Sequence, residues 1–283
     1  METRNPALRS AIKQAEENAG APTGSPVSTN YSNPTGASID QQLQDALRAP
    51  TATTTMQLPD VIAKTGLLFA ILLVGAVVGW TTAMATPWVW MIGAVGALIL
   101  GLVNAFKRQV SPILVMAYAV FEGVLLGGLS HWYNEMVAAK SQGVAAQPIV
   151  LQAVLGTVVA FAVMLALYSG KVIKVTGTTK KVFFVALISY LVIGLVSLVA
   201  ALFGVGGGWG FYGVGGIGLA LCLFAVALAA FSLVLDFESI QQGIAYGLPE
   251  RESWRMAFGL MVTLVWLYME ILRLLAILNS NSR

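Results

Sequence analysis

Between residues 61 and 278 the chain repeats one device seven times: a long apolar run, closed by glycine, proline or charge. A helix rising about 1.5 Å per residue needs about 20 residues to cross a hydrocarbon layer of roughly 30 Å, and each run has that length. The runs cover 61–84, 88–106, 112–132, 149–169, 182–203, 214–235 and 256–278. In lipid every backbone amide must be satisfied within its own segment or a closed barrel, so runs this long read as helices. Composition agrees, because 57% of the 283 residues are hydrophobic and 10% charged, whereas a soluble domain carries about 25% charged residues. The expected fold is an all-α membrane protein with seven transmembrane helices.

Alternate connections differ in charge. Those after the second, fourth and sixth runs hold Lys107, Arg108, Lys171, Lys174, Lys180, Lys181, Arg251 and Arg255, whereas the other three hold only Lys140. Positive charge collects on the cytoplasmic side, which puts the N-terminus inside and the C-terminus outside. Trp80, Trp88, Trp90, Trp132 and Trp209 then fall near outer boundaries, where interfacial tryptophans collect. The net charge of +3 is explained by this orientation, and no nucleic-acid-binding face is indicated.

Residues 1–58 are expected to be a disordered cytoplasmic tail, and 59–281 the seven-helix domain. The stretch 20–37 is rich in Gly, Pro, Ser, Thr and Asn and cannot bury enough apolar surface to offset its ordering entropy. Segments 6–19 and 39–48 carry weak helical patterns suited to folding on a partner. No charged stretch followed by an apolar core opens the sequence, so a cleavable signal peptide is not expected. Cys222 is the single cysteine, and a disulfide within the chain is excluded.

Once Lys64 at the start of span one is set aside, five charged residues remain in or beside the apolar runs: Glu122, Asp236, Glu238, Glu270 and Arg273. An ionisable group at that depth is costly unless neutralised, paired or wet, and is a functional candidate for that reason. Counting helical rise from the cytoplasmic ends puts Glu122 and Glu270 at comparable levels near mid-membrane, with Asp236 and Glu238 shallower at the end of span six. Two carboxyls brought together in a low dielectric share a proton and sense pH; ionised, their oxygens suit a hard cation such as calcium. Glu270 can instead pair with Arg273, one turn on, and fix packing. Glu238 is expected to be solvated, and Lys64 to reach water from the start of span one. His131, beside Trp132, reads as an interfacial imidazole, while Gly123, Gly127 and Gly128 read as close-packing surfaces. Hydrolase, metalloprotease and phosphate-loop motifs are not found, so no enzymatic activity and no resident cofactor are expected.

Three segments together resemble the transmembrane Bax inhibitor motif family, as a bacterial member would: Ala-Tyr-Ala-Val-Phe-Glu-Gly-Val-Leu-Leu-Gly ending at Gly127, Leu-Val-Leu-Asp-Phe-Glu-Ser-Ile around Asp236, and Trp-Leu-Tyr-Met-Glu-Ile-Leu-Arg around Glu270. The likeness covers about 60–279. It implies a last helix surrounded by the other six and a pH-sensitive calcium leak gated by one acid on each of spans six and seven. Asp236 and Glu270 match those acids, the second being an aspartate in the family. The resemblance also implies a role in stress response and contact with a membrane protease. Two features bear on the acid pair. A plain hairpin turning near Leu248 places Asp236 opposite a residue near Leu260, well short of Glu270, and depth makes Glu122 a rival partner. A pH-sensitive cation leak of the bacterial inner membrane is therefore expected, with Glu122, Arg273 and Glu238 as further path residues. A non-conducting regulator binding a protein partner through residues 1–58 is the other reading.

Overall fold

The protein is described from a computed structural model, which covers residues 54–281 except 87, 141–147, 174, 209 and 214. The expectations for residues 1–53, Lys174 and Trp209 lie outside the described residues. Among the described residues there are seven α-helices: α1 (Leu58–Ala85), α2 (Val89–Phe106), α3 (Pro112–Lys140), α4 (Ile149–Ser169), α5 (Gly177–Leu202), α6 (Gly215–Ala245) and α7 (Ser253–Asn281). All seven are long and apolar enough to cross a membrane.

Local chemistry sets the ends. The Gln57 amide donates to the Asp60 carboxylate at 2.9 Å where α1 begins, and Thr176 accepts from the Thr179 amide at 3.2 Å before α5. Helix α6 closes on Gly247, whose φ of +63° is the left-handed cap that glycine adopts freely. The helix ends at Ala245, ten residues after the expected end of span six, because Asp236 to Ala245 continue it through polar residues that hydropathy alone does not extend. Asp236 is therefore about 14 Å inside α6 and not at its end.

Helix α7 occupies the interior. Its principal neighbours are α6, α1, α4 and α3, α5 reaches it through side chains, and α2 packs on α3 and α1. Half of the apolar window in α3 and α7 is buried, against 17% in α2, α4 and α5. The exposed faces of the outer helices carry Val, Leu, Ile and Phe, including Val77, Leu98, Val158 and Val185. Such a surface suits lipid and not water.

Glycine brings α3 against its neighbours. A Cβ on Gly79 would meet the Val124 backbone, one on Gly127 the Ala76 backbone, and one on Gly128 the Trp90 side chain, all inside van der Waals distance. His131 meets Trp80 edge-on at 5.1 Å between ring centres.

Residues before 59 already pack on the helices. Met56 is 1% exposed and its amide donates to the Leu248 carbonyl at 2.8 Å. Thr55 forms an antiparallel bridge with Pro249, and Thr54 donates to Glu250 at 2.6 Å. Lys64 does not simply reach water: it binds the Glu250 carboxylate at 3.1 Å and Ser253 Oγ at 2.6 Å. Arg251 and Arg255 donate to the carbonyls of Val110 and Arg108, at 2.9 and 2.8 Å. The turn between α6 and α7 thus ties the entry to α1 and the α2–α3 connection together on the basic face.

Candidate functional site

Helix periodicity puts Gly259, Thr263, Trp266, Glu270 and Arg273 on one face of α7, since steps of three and four residues stay within a single stripe. The stripe faces α6 and α5. At its centre Glu270, 2% exposed, accepts through Oε1 from the Tyr190 hydroxyl of α5 at 2.6 Å and from Trp266 Nε1 at 3.1 Å. Its Oε2 accepts from Arg273 Nη1 at 3.0 Å. A buried carboxylate holding two neutral donors and a guanidinium is compensated in charge and hydrogen bonding, which is what its burial requires.

Arg273 is held from several sides. Its guanidinium lies over the Tyr212 ring at 4.6 Å and is bonded to the Tyr133 hydroxyl of α3. Tyr212 donates in turn to Tyr190 at 3.1 Å. Tyr212 arrives from the connection between α5 and α6, where Gly210, with φ of +61°, packs against the backbone of Ser197. Any side chain at Gly210 would push this turn off α5 and withdraw Tyr212.

Asp236 meets the same stripe three turns closer to the basic face. Its Oδ1 lies against Gly259 and its carboxyl is close to Thr263. Ser232 reaches Thr263 at 3.4 Å. Its Oδ2 is buried without a hydrogen-bond partner among the described residues. The antiparallel α6–α7 hairpin therefore pairs Asp236 with Gly259, one residue from the position that a turn near Leu248 predicts. Glu270 lies eleven residues beyond Gly259, roughly 16 Å by helix rise. Asp236 and Glu270 do not form a carboxyl pair and cannot ligate one ion together, because the hairpin is plain.

Glu122 is not the partner of Glu270 either. The Tyr118 and Phe258 rings meet at 5.0 Å, and Ser130 bonds the Tyr268 hydroxyl at 2.7 Å, so α3 and α7 run parallel in that register. Glu122 is then level with about residue 261, some 13 Å short of Glu270. The level expected from the sequence fails because α7 starts three residues before residue 256 and α3 meets it further along. Glu122 is 7% exposed and lies close to Tyr118, one turn back on its own helix. Glu122 and Asp236 share a level, with α7 between them. Glu238 is held by the Tyr168 hydroxyl at 3.0 Å and Gln242 at 2.6 Å, not merely solvated.

Of the five charged residues, the structure brings Glu270 and Arg273 together and leaves Asp236, Glu238 and Glu122 at separate places. Among the described residues no cluster of three or more His, Cys, Asp or Glu could hold a metal ion. Tyr190, Tyr212, Tyr133 and Thr263 complete the site, and sequence reasoning missed them. A hydroxyl inside an apolar run, as at Tyr190, was the available signal.

Seven apolar helices around a polar seam define a multi-pass helical membrane protein. A family profile described as Bax inhibitor 1 like matches residues 5–280, and the chain belongs to that family. The match runs into residues 5–58, beyond the segment over which the motifs resemble the family. No curated protein matches the chain.

Proposed function

We propose that the protein is a pH-sensitive cation leak, with calcium as the permeating ion, whose path follows the polar stripe of α7. One observation carries the reading: Asp236, Ser232, Thr263, Glu270 and Arg273 place oxygen ligands and charge along one seam of an otherwise apolar bundle. Polar groups at membrane depth that line one helix face mark a route for ions or protons. The seam is closed in this structure. Buried Leu233, Ala229 and Leu267 occupy the interval between Asp236 and Glu270. Beyond them Arg273, fixed on Glu270, sets a positive charge against a cation.

In this reading the two acids have different tasks. Asp236 is the proton-sensitive gate: protonated, it is a neutral hydrogen-bonding group between α6 and α7, whereas ionised it leaves an uncompensated oxygen in the seam and invites a cation. Glu270 with Arg273 is the plug toward the face opposite the basic one. Leak then rises with pH. The role is transport and not catalysis. In this reading the protein sits in a bacterial plasma membrane, and the charge of its connections supports an N-terminus in the cytoplasm.

Calcium entry into proteoliposomes across a pH series tests the proposal. The wild type should exceed protein-free vesicles and gain flux toward alkaline pH, and Asp236→Asn should flatten the profile. Wild-type flux equal to protein-free vesicles at every pH would rule the leak out.

A further inference from the structure

The face of α7 opposite its polar stripe carries Leu264, Val265 and Tyr268, half a helical turn away. These residues floor a cleft of about 610 Å³ between α1 and α4. Both helices pack on α7, yet they stand apart here and leave a lateral opening. Val77 of α1 and Val158 of α4 form the rim, exposed at 64% and 58%, whereas Val265 on the floor is 4% exposed. The floor is reached through the cleft.

The walls select the occupant. The hydroxyls at the cleft are already satisfied: Ser130 with Tyr268, Thr81 with the Val77 carbonyl, and Thr157 with the Ala153 carbonyl. What remains is hydrocarbon surface, which offers nothing to water or to a charged ligand. The volume lies within the range of about 300–1,000 Å³ typical of small-molecule sites. The cleft runs from Trp80, near the end of α1, to Phe69 in its interior, so its long axis lies along the helices, as lipid chains do. An apolar void at hydrocarbon depth with an open side forfeits dispersion contacts unless a chain enters it.

We propose that this cleft is a binding site for one acyl chain of a bilayer phospholipid, taken from the leaflet opposite the basic face. The chain completes the packing of α7 on the side away from Glu270. The proposal rests on the membrane-spanning reading of the helices and is independent of the leak.

Photolabelling tests it. The full chain is reconstituted in phosphatidylcholine–phosphatidylglycerol vesicles doped with a phospholipid that carries a diazirine on its acyl chain, and labelled peptides are mapped after illumination. Labels are expected on the floor residues Leu264, Val265 and Tyr268 as well as on the exposed face of α5. Val158→Trp and Val77→Trp, both on lipid-facing rims where a larger apolar side chain can be accommodated, should lower floor labelling several-fold and leave α5 labelling unchanged. Val185→Trp on α5 serves as the control and should leave the floor labelled. An unlabelled floor in the wild type overturns the proposal, and so does floor labelling that both rim variants leave intact.

Discussion

The two sides of α7 are built on different principles. On the side toward α1 and α3 those two helices close on each other by shape, with glycines at 75, 79, 123 and 127 letting them touch backbone to backbone. Toward α5 and α6 the bundle closes by polar complementarity, through Glu270, Arg273, Tyr190, Tyr212, Thr263 and Asp236. A steric joint has one packed state. A polar joint can change state when a proton or ion arrives, so the second side is the one that can be gated.

Substitutions separate the two. Arg273→Ala should be the most damaging, about 3–5 kcal/mol, because it leaves Glu270 buried without its counter-ion; chemical unfolding in detergent micelles reads the loss. Tyr190→Phe removes a hydrogen bond to a charged group and should lower stability by about 1.5–3 kcal/mol in the same assay. On the steric side Gly127→Val should cost about 1–3 kcal/mol through overpacking against Ala76, with a loss that does not vary with pH. Lys64→Met, which breaks a partly exposed pair with Glu250, should change stability by about 1 kcal/mol or less. If Gly127→Val acquired a pH-dependent loss, or Arg273→Ala were silent, the division between the two sides would fall.

Much of this architecture is legible in the sequence. Seven runs become seven helices, and hairpin counting places Asp236 within one residue of its observed neighbour Gly259. Hairpin counting succeeds because α6 and α7 are joined by a short turn, so chain distance sets register. The same arithmetic fails for Glu122, because α3 and α7 are joined by no turn and their offset is set by packing of Tyr118 on Phe258. Tyr190 and Tyr212 are hidden for a related reason. In lipid both the buried and the exposed faces of a helix are apolar, so hydrophobic periodicity does not tell which side of α5 meets Glu270. Trp266 and Arg273, on the same helix as Glu270, lie within reach of spacing alone.

In the proposed function the Glu270–Arg273 pair plugs a cation path and does more than hold α7 in place. Removing one partner confounds the two roles, whereas removing both leaves no unpaired charge and can be close to neutral for stability. Calcium entry into proteoliposomes should therefore be measured for the double variant Glu270→Gln, Arg273→Met, with its thermal midpoint, at an acidic pH where the wild type is closed. A midpoint near that of the wild type and raised calcium entry are expected. A well-folded double variant whose entry equals that of the wild type would contradict the plug.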